Sequence, residues 1–359
     1  MKLRIELLSI ALACCVSATC QTNGAKSTPK NVILLIGDGM GTAQIFAGLT
    51  ANKGKLNLER CTAVGFHKNQ SADNYVTDSG AGATALSIGK KARNGGIGVD
   101  ATSVAHPTIL EIAEKHNLAT GMVVTCSMTH ATPASFIAHV PSRKTVEDIA
   151  LDFLKTDIDV FIGGGRNHFA KRKDGLNLLD SFRQRNYQVV DSFAGLANVK
   201  PGKLAAFIAD EEPPKASEGR AGQLLVGTKT ALNIVSKNKN GFFLMIEGSQ
   251  IDWGGHANNT EYVVNEMLDF DEVIGAVLDF AAKDKNTLVI ITADHETGGM
   301  TLNGGDMKTG RVDAKFTTTH HTAVMIPVFA YGPGSEKFSG IYENTAIFTK
   351  MLESLRLNK

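Results

Sequence analysis

Apolar residues along this chain fall into two kinds of segment. Short runs that are apolar at consecutive positions occupy 32–36, 61–66, 121–126, 158–162, 187–190, 204–208, 242–246, 287–292 and 323–330. Between them lie longer mixed segments that predict helices over 42–51, 79–89, 107–116, 144–155, 175–185, 220–237, 259–283 and 343–355. Strands apolar on successive positions are expected where helices cover both faces of a sheet. Strands separated by helices imply right-handed crossovers. The expectation is an α/β protein, a three-layer αβα sandwich around a mostly parallel central sheet. There is no internal repeat. Gly163-Gly164-Gly165 reads as a turn and 210–217, acidic then proline-rich, as an exposed loop.

Three of the runs end abruptly in a carboxylate. The 32–36 run meets Gly37-Asp38-Gly39. The 242–246 run meets Glu247-Gly248, with Asp252 and His256 just beyond. The run that closes at Ile291 leads into Thr292-Ala293-Asp294-His295-Glu296-Thr297-Gly298-Gly299. Open α/β sheets bind ligands outside the carboxyl ends of their strands. Three acid-tipped ends therefore point to one metal site assembled from distant parts of the chain.

The first residues follow another pattern. Lys2 and Arg4 precede the apolar stretch 7–16, and the small residues Ser17, Ala18 and Thr19 follow. This reads as a secretory signal peptide over 1–19, with cleavage between 18 and 20. Cleavage after Ala18 and a lipid anchor on Cys20 are both open readings. They make the product an exported protein, either periplasmic or a membrane-anchored lipoprotein. A polar linker occupies 20–30, and 31–359 reads as one domain. The apolar stretch is too short to span a bilayer.

Composition narrows the class. With 359 residues, 43% of them hydrophobic, the chain fits one large α/β domain or two modest ones. A formal net charge of +1 provides no bulk field for nucleic acid or an anionic membrane, so anion binding needs a local site. Cys61 and Cys126 sit in strand-like runs and read as small core residues. No C-x-x-C pattern is present, which argues against a disulfide framework or a cysteine zinc site.

Individually, each candidate motif also has a plain structural explanation. Gly37-Asp38-Gly39-Met40-Gly41 lacks the glycine spacing of a dinucleotide fingerprint, and its acid suits a cation better than a pyrophosphate; a tight strand-to-helix turn explains it equally. Thr77-Asp78-Ser79-Gly80-Ala81-Gly82-Ala83-Thr84-Ala85 opens a helix with small residues. Ser79 there is either an anion-facing group near a helix N-terminus or an ordinary N-cap. In Glu247 to His256, Gly254-Gly255 argues against a continuous helix, so Asp252 and His256 are expected to converge through a turn. Asp294-His295 follows a buried strand and His320-His321-Thr322 precedes one. Asp, Glu and His donors without cysteine suit Zn²⁺ and Mg²⁺. Together the motifs point to a multinuclear metal hydrolase.

These motifs, in this order, resemble the alkaline phosphatases. The likeness is extended by Ala131-Thr132-Pro133-Ala134, by Ala138-His139-Val140-Pro141-Ser142-Arg143-Lys144, and by His321-Thr322 before Val328-Phe329-Ala330-Tyr331-Gly332-Pro333-Gly334. It spans residues 32–334. The resemblance implies a catalytic domain over 31–359 that hydrolyses small-molecule phosphate monoesters through a phosphoserine, using two Zn²⁺ and one Mg²⁺. Carried over by motif, Ser79 is the nucleophile and Arg143 grips two phosphate oxygens. One zinc takes Asp252, His256 and His321, with His320 as the fallback. The other takes Asp38, Asp294 and His295, and magnesium takes Asp38, Thr132 and Glu247. His130 and Trp253 stand where some bacterial members have Asp and Lys, which places both at the substrate pocket. Homodimers are common in the family, but no interface signature appears here. Only residues 300–319 separate Gly299 from His320, so a large inserted subdomain is not expected. A phosphodiesterase or sulfatase of the wider superfamily is the competing chemistry, and a non-catalytic phosphate- or metal-binding protein the competing class. His67, His106, His116, His139 and His168 read as structural.

Overall fold

The computed structural model describes residues 28–357. The signal peptide, Cys20 and most of the 20–30 linker lie outside the described residues. Among the described residues there are fourteen strands: β1 Asn31–Gly37, β2 Ala63–Lys68, β3 Ala119–Ser127, β4 Val160–Gly164, β5 Gln188–Val190, β6 Leu204–Phe207, β7 Phe242–Gly248, β8 Thr287–Thr292, β9 Glu296–Thr297, β10 Thr301–Asp306, β11 Arg311–Lys315, β12 His321–Thr322, β13 Ile326–Tyr331 and β14 Gly340–Glu343. The α-helices are α1 Thr42–Ala51, α2 Ser79–Ile88, α3 Ile109–Lys115, α4 Ala131–Ala134, α5 Val146–Asp152, α6 Arg166–Ala170, α7 Leu178–Gln184, α8 Gln223–Val235, α9 Gln250–His256, α10 Thr260–Asp284 and α11 Thr345–Leu355.

Ten strands form one sheet in the order β14-β2-β13-β8-β1-β7-β3-β4-β6-β5. β13 pairs antiparallel with both of its neighbours; the other pairings are parallel. The core has two layers because alternate residues of a strand face opposite ways. Val32, Leu34 and Ile36 enter one layer with Phe136, Phe243 and Ile290; Ile33 and Leu35 enter the other with Leu244, Phe270 and Ile291. Both faces of the central strands are thus dry, as their unbroken apolar runs require.

Several expectations need correction. Residues 250–256 form helix α9 rather than a turn. Gly254 and Gly255 are tolerated there because a Cβ would lie 2.7 Å from Val263 N and 2.7 Å from Thr297 O respectively. Close tertiary contact outweighs their poor helix propensity, which costs about 1 kcal/mol each. The 210–217 loop is mostly exposed, as expected, but it is anchored at two points: Gln250 Nε2 donates to Pro213 O (3.0 Å), and Glu266 accepts from Ala216 N (2.8 Å). Gly163 and Gly164 belong to β4, and only Gly165, at φ +85°, makes the turn. Cys61 lies before β2, half-buried, whereas Cys126 is buried in β3. The short connection 300–319 holds the β10–β11 hairpin. Among the described residues no helix is long and apolar enough to cross a membrane.

Candidate active site

The acid-tipped strands end level with one another. β1 lies between β8 and β7, with Ile36 opposite Thr292 on one side and Glu247 on the other. Asp38 N donates to Gly248 O (3.1 Å), which ties the first tip to the second. Gly39 has φ +73°, and a Cβ on it would lie 2.7 Å from the Asp252 Cα. That close approach lets α9 bring Asp252 and His256 over the strand ends. β12, paired with β9, returns His321 to the same place.

The side chains converge in groups. Ligand atoms of Asp252, His256 and His321 all lie within 4.8 Å of one another, and so do those of Asp38, Asp294 and His295. His320 is outside these groups and lines the lip of the adjoining cavity. A third group contains Glu247 with His130 and with Cys126, a residue the sequence reading left in the core. Thr132 Oγ1 donates to Asp38 Oδ2 (3.3 Å), so it stands at the carboxylate shared between positions.

Hydrogen bonds orient the imidazoles. His256 Nδ1 donates to Thr319 O (2.6 Å) and His321 Nδ1 to Thr77 O (2.9 Å). Each Nε2 therefore points inward, where a neutral ring can ligate a cation and a protonated ring donates to Asp252, and the two Nε2 atoms face each other at 3.2 Å. His295 Nδ1 similarly meets Thr297 Oγ1 (3.2 Å) while its Nε2 points to Asp294, Asp38 and Ser79. Orientation of a ligating ring through its other nitrogen is a common feature of metal sites.

Electrostatics give the same answer. Burial, then repulsion from Asp294 and Asp252, pushes the Asp38 carboxyl well above its ordinary range. Burial and Asp294 push Glu247 up to about 8, and burial and Asp252 push Asp294 up to about 6. Burial acts against Asp252 too, but the bonds from His256 and His321 hold it well below the usual value. Asp38 Oδ1, Glu247 Oε1 and Asp294 Oδ2 are buried without a hydrogen-bond partner. A buried anionic cluster with unpartnered oxygens is the counterpart of bound cations, and the donors present fit them.

Ser79 begins α2 beside this cluster. Asp78, not Ser79, is the N-cap: its side chain accepts from Ala81 N (3.0 Å). That leaves Ser79 Oγ free to face the site, 3.2 Å from His295 Nε2. A cavity of about 460 Å³ opens over it, lined by Asp78, His130, Arg143, Trp253 and His256 among others. Arg143 Nη1 donates to Asp78 Oδ2 (3.0 Å), and its Nη2 lies 3.4 Å from His130 Nε2. Burial, then Arg143, lowers His130 to about 4, so it is neutral beside the guanidinium. Trp253 packs edge-on to His130 at 6.0 Å.

The alkaline phosphatase family model matches residues 29–315. The chain belongs to the alkaline phosphatase family. It is 35% identical to alkaline phosphatase 3 of Bacillus subtilis, over 95% of this chain and 92% of the relative. With the alkaline phosphatase of Escherichia coli the identity is 32%, over 91% and 86%. The solved alkaline phosphatase of the Antarctic bacterium TAB5 is 44% identical, covering 93% of this chain and all of its own, at a TM-score of 0.87. A His-to-Asp variant of that enzyme, with Mg bound in the M3 site, matches at 45% and the same score. An alkaline phosphatase is thus a hydrolase of phosphate monoesters, and the family's reaction passes through a covalent phosphoserine.

Within this alkaline phosphatase fold the histidines outside the motifs have structural partners. His67 Nε2 donates to Ala293 O (2.9 Å), and burial lowers the ring to about 4. His139 pairs with Glu111 (3.1 Å) and His106 with Asp100 (2.7 Å). Besides Cys126, the sequence reading missed Glu296. This buried acid accepts from Gln44 Nε2 (2.7 Å), Met300 N (3.1 Å), Gly299 N (3.2 Å) and Thr322 Oγ1. It joins α1, the loop after β8 and the strand carrying His321. Its one sequence signal was its place inside the 292–299 motif.

Proposed function

We propose that Ser79 is the nucleophile of this phosphatase and that Arg143 holds the transferred phosphoryl group. The observation that carries the proposal is the free Ser79 Oγ at the opening of α2, facing both the acidic donor cluster and the Arg143 cavity. Ser79 Oγ attacks phosphorus and forms an O–P bond as the ester oxygen departs; water then cleaves the phosphoseryl bond and releases phosphate. Arg143 offers a planar fork to two non-bridging oxygens. Asp78 fixes that fork through Nη1 while its other oxygen caps α2, so nucleophile and clamp share one support. The backbone amides opening α2 add favourable potential for an anion.

Asp252, His256 and His321 would hold one zinc, and Asp38, Asp294 and His295 a second. Asp38, Thr132 and Glu247 would hold magnesium, the ion named in the TAB5 variant. When bound, such ions lower the pKa of a nearby hydroxyl and stabilise charge on the attacking and leaving oxygens. The oxygen-only set suits magnesium and the mixed Asp and His sets suit zinc. His130 and Trp253 wall the substrate side. Residues 31–359 constitute the catalytic domain, exported by the 1–19 signal. Cys20 lipidation and homodimer formation are read out by mass spectrometry of the mature N-terminus and by sedimentation.

Metal analysis combined with hydrolysis of p-nitrophenyl phosphate and its bis-ester tests the reading. Expected are two zinc and one magnesium per chain and faster monoester turnover. Full activity after chelation, or a preference for the bis-ester, would refute it.

A further inference from the structure

Cys126 stands near the end of β3, fully buried. β3 and β7 are parallel with Val124 opposite Glu247, so Cys126, two residues on, emerges on the same face beside the Glu247 carboxylate. Its Sγ lies 3.5 Å from Glu247 Oε2. Sγ, a ring nitrogen of His130 and a carboxylate oxygen of Glu247 all lie within 4.8 Å of one another. Glu247 is 0% exposed, and its other oxygen, Oε1, has no hydrogen-bond partner. His130 Nδ1 has none either. A core cysteine normally meets carbon on all sides. This one meets a carboxylate that still lacks a counter-charge.

Glu247 therefore belongs to two overlapping donor sets. With Asp38 and Thr132 it offers only oxygen, which suits a hard ion such as magnesium. With Cys126 and His130 it offers sulfur, nitrogen and oxygen. Softer donors select softer cations, and affinity for such sets rises steeply from magnesium to zinc.

We infer that Cys126, His130 and Glu247 form a cation site for thiophilic divalent ions, of the zinc, cobalt and cadmium class, in competition with magnesium. The inference rests on the assignment of Glu247 to a cation site. On loading, an Sγ–metal bond forms and the thiol proton passes to solvent, with no change of oxidation state. The identity of the third ion in this enzyme then follows the supply of thiophilic cations.

Cobalt as the added metal tests this on the full chain after chelation and reloading. Visible ligand-field bands report cobalt among the Asp and His donors, whereas a near-ultraviolet sulfur-to-cobalt charge-transfer band reports a thiolate ligand. Both should appear. The charge-transfer band should vanish in Cys126→Ala and Cys126→Ser and persist in Cys61→Ala. In Cys126→Ser the weakest cobalt should also bind at least about 10-fold less tightly, the lower end of what losing an outer-shell partner costs. Visible bands without charge transfer, charge transfer surviving in both Cys126 variants, or unchanged cobalt affinity would overturn the inference while the wider metal reading stands. Absence of both bands overturns the two together.

Discussion

Replacing Arg220 by Met should destabilise the protein by about 3–5 kcal/mol near pH 7. Arg220 is fully buried and ties the anchored loop to α10. Nη1 donates to Asp269 Oδ2 (2.8 Å), Nη2 to Glu266 Oε2, and Nε to Pro214 O (2.9 Å). Without it the two carboxylates keep one backbone donor each, Gly222 N for Asp269 and Ala216 N for Glu266. One amide does not replace a guanidinium, so each acid must stay charged and poorly solvated or take up a proton. Protonation caps the cost for each acid separately: holding a Glu neutral at pH 7 costs about 3.7 kcal/mol from an ordinary pKa of about 4.3. Burial already raises Glu266 in the intact protein, with Arg220 opposing the rise. In the variant its folded pKa climbs further above the unfolded value. Such a group stabilises fully below the unfolded pKa and loses that contribution as pH rises through the folded pKa. The gap between variant and parent should therefore narrow from pH 8 to pH 5. Urea unfolding of both proteins at fixed free zinc and magnesium measures it. A loss below about 1 kcal/mol, or a gap that does not change with pH, would refute the argument. Replacing Glu266 and Asp269 by Leu in the Arg220→Met background should recover most of the loss, because an apolar trio has no charge left to strand.

Three further outcomes concern the site. Ser79→Ala should abolish phosphoenzyme trapping and lower kcat by at least about 10³-fold; a labelled intermediate in that variant would move the nucleophile elsewhere. Arg143→Lys removes bidentate geometry and should reduce kcat/KM by about 10–100-fold, equivalent to about 1.5–3 kcal/mol for a hydrogen bond to a charged group; steady-state kinetics showing under a twofold change would remove Arg143 from the clamp. Chelated protein should lose stability as pH rises, because Asp294, Glu247 and His256 carry folded values raised to about 6, 8 and 9. Groups raised on folding contribute fully below their unfolded pKa and lose that contribution on the alkaline side. Melting temperatures of the chelated protein should thus fall between about pH 7 and 9, above the range where the lowered rings of His67, His130 and His295 act the other way, and added zinc should remove most of the slope; a flat profile over that range without metal would contradict the buried-anion account.

The parts of the site legible in the sequence were those where two patterns coincide. An unbroken apolar run fixes a central strand, and an acid at its end fixes a place on the sheet edge, so Asp38, Glu247 and Asp294 could be grouped without coordinates. In the sheet, Ile36 lies in register with Glu247 on one side and Thr292 on the other, so the three tips are level. Strand direction is not written in such runs, which is why the reversal of β13 had no signal. The β10–β11 hairpin was also silent. Its first strand, Thr301 to Asp306, holds two glycines, bulges between Leu302 and Gly304, and lacks a clear period of two.

The miss at α9 and the unread neighbour of Cys126 share a cause. Gly254 and Gly255 looked like helix breakers because propensity counts only the chain's own backbone. In the fold they are the residues that let Val263 and Thr297 come close, and that approach seats His256 one turn after Asp252, 3.3 Å from its carboxylate. Cys126 is in the core, as its place in a strand-like run with Val123 and Val124 implies. Its chemistry comes from Glu247, 121 residues away in the chain and adjacent in the sheet. In both cases the decisive partner lies on another strand or helix, and local pattern carries no term for it. A cysteine or a glycine pair near a strand tip should therefore be judged by what the register places opposite it. By that criterion Cys126 is a donor to the site and Cys61, whose thiol burial pushes up to about 12, is a bystander.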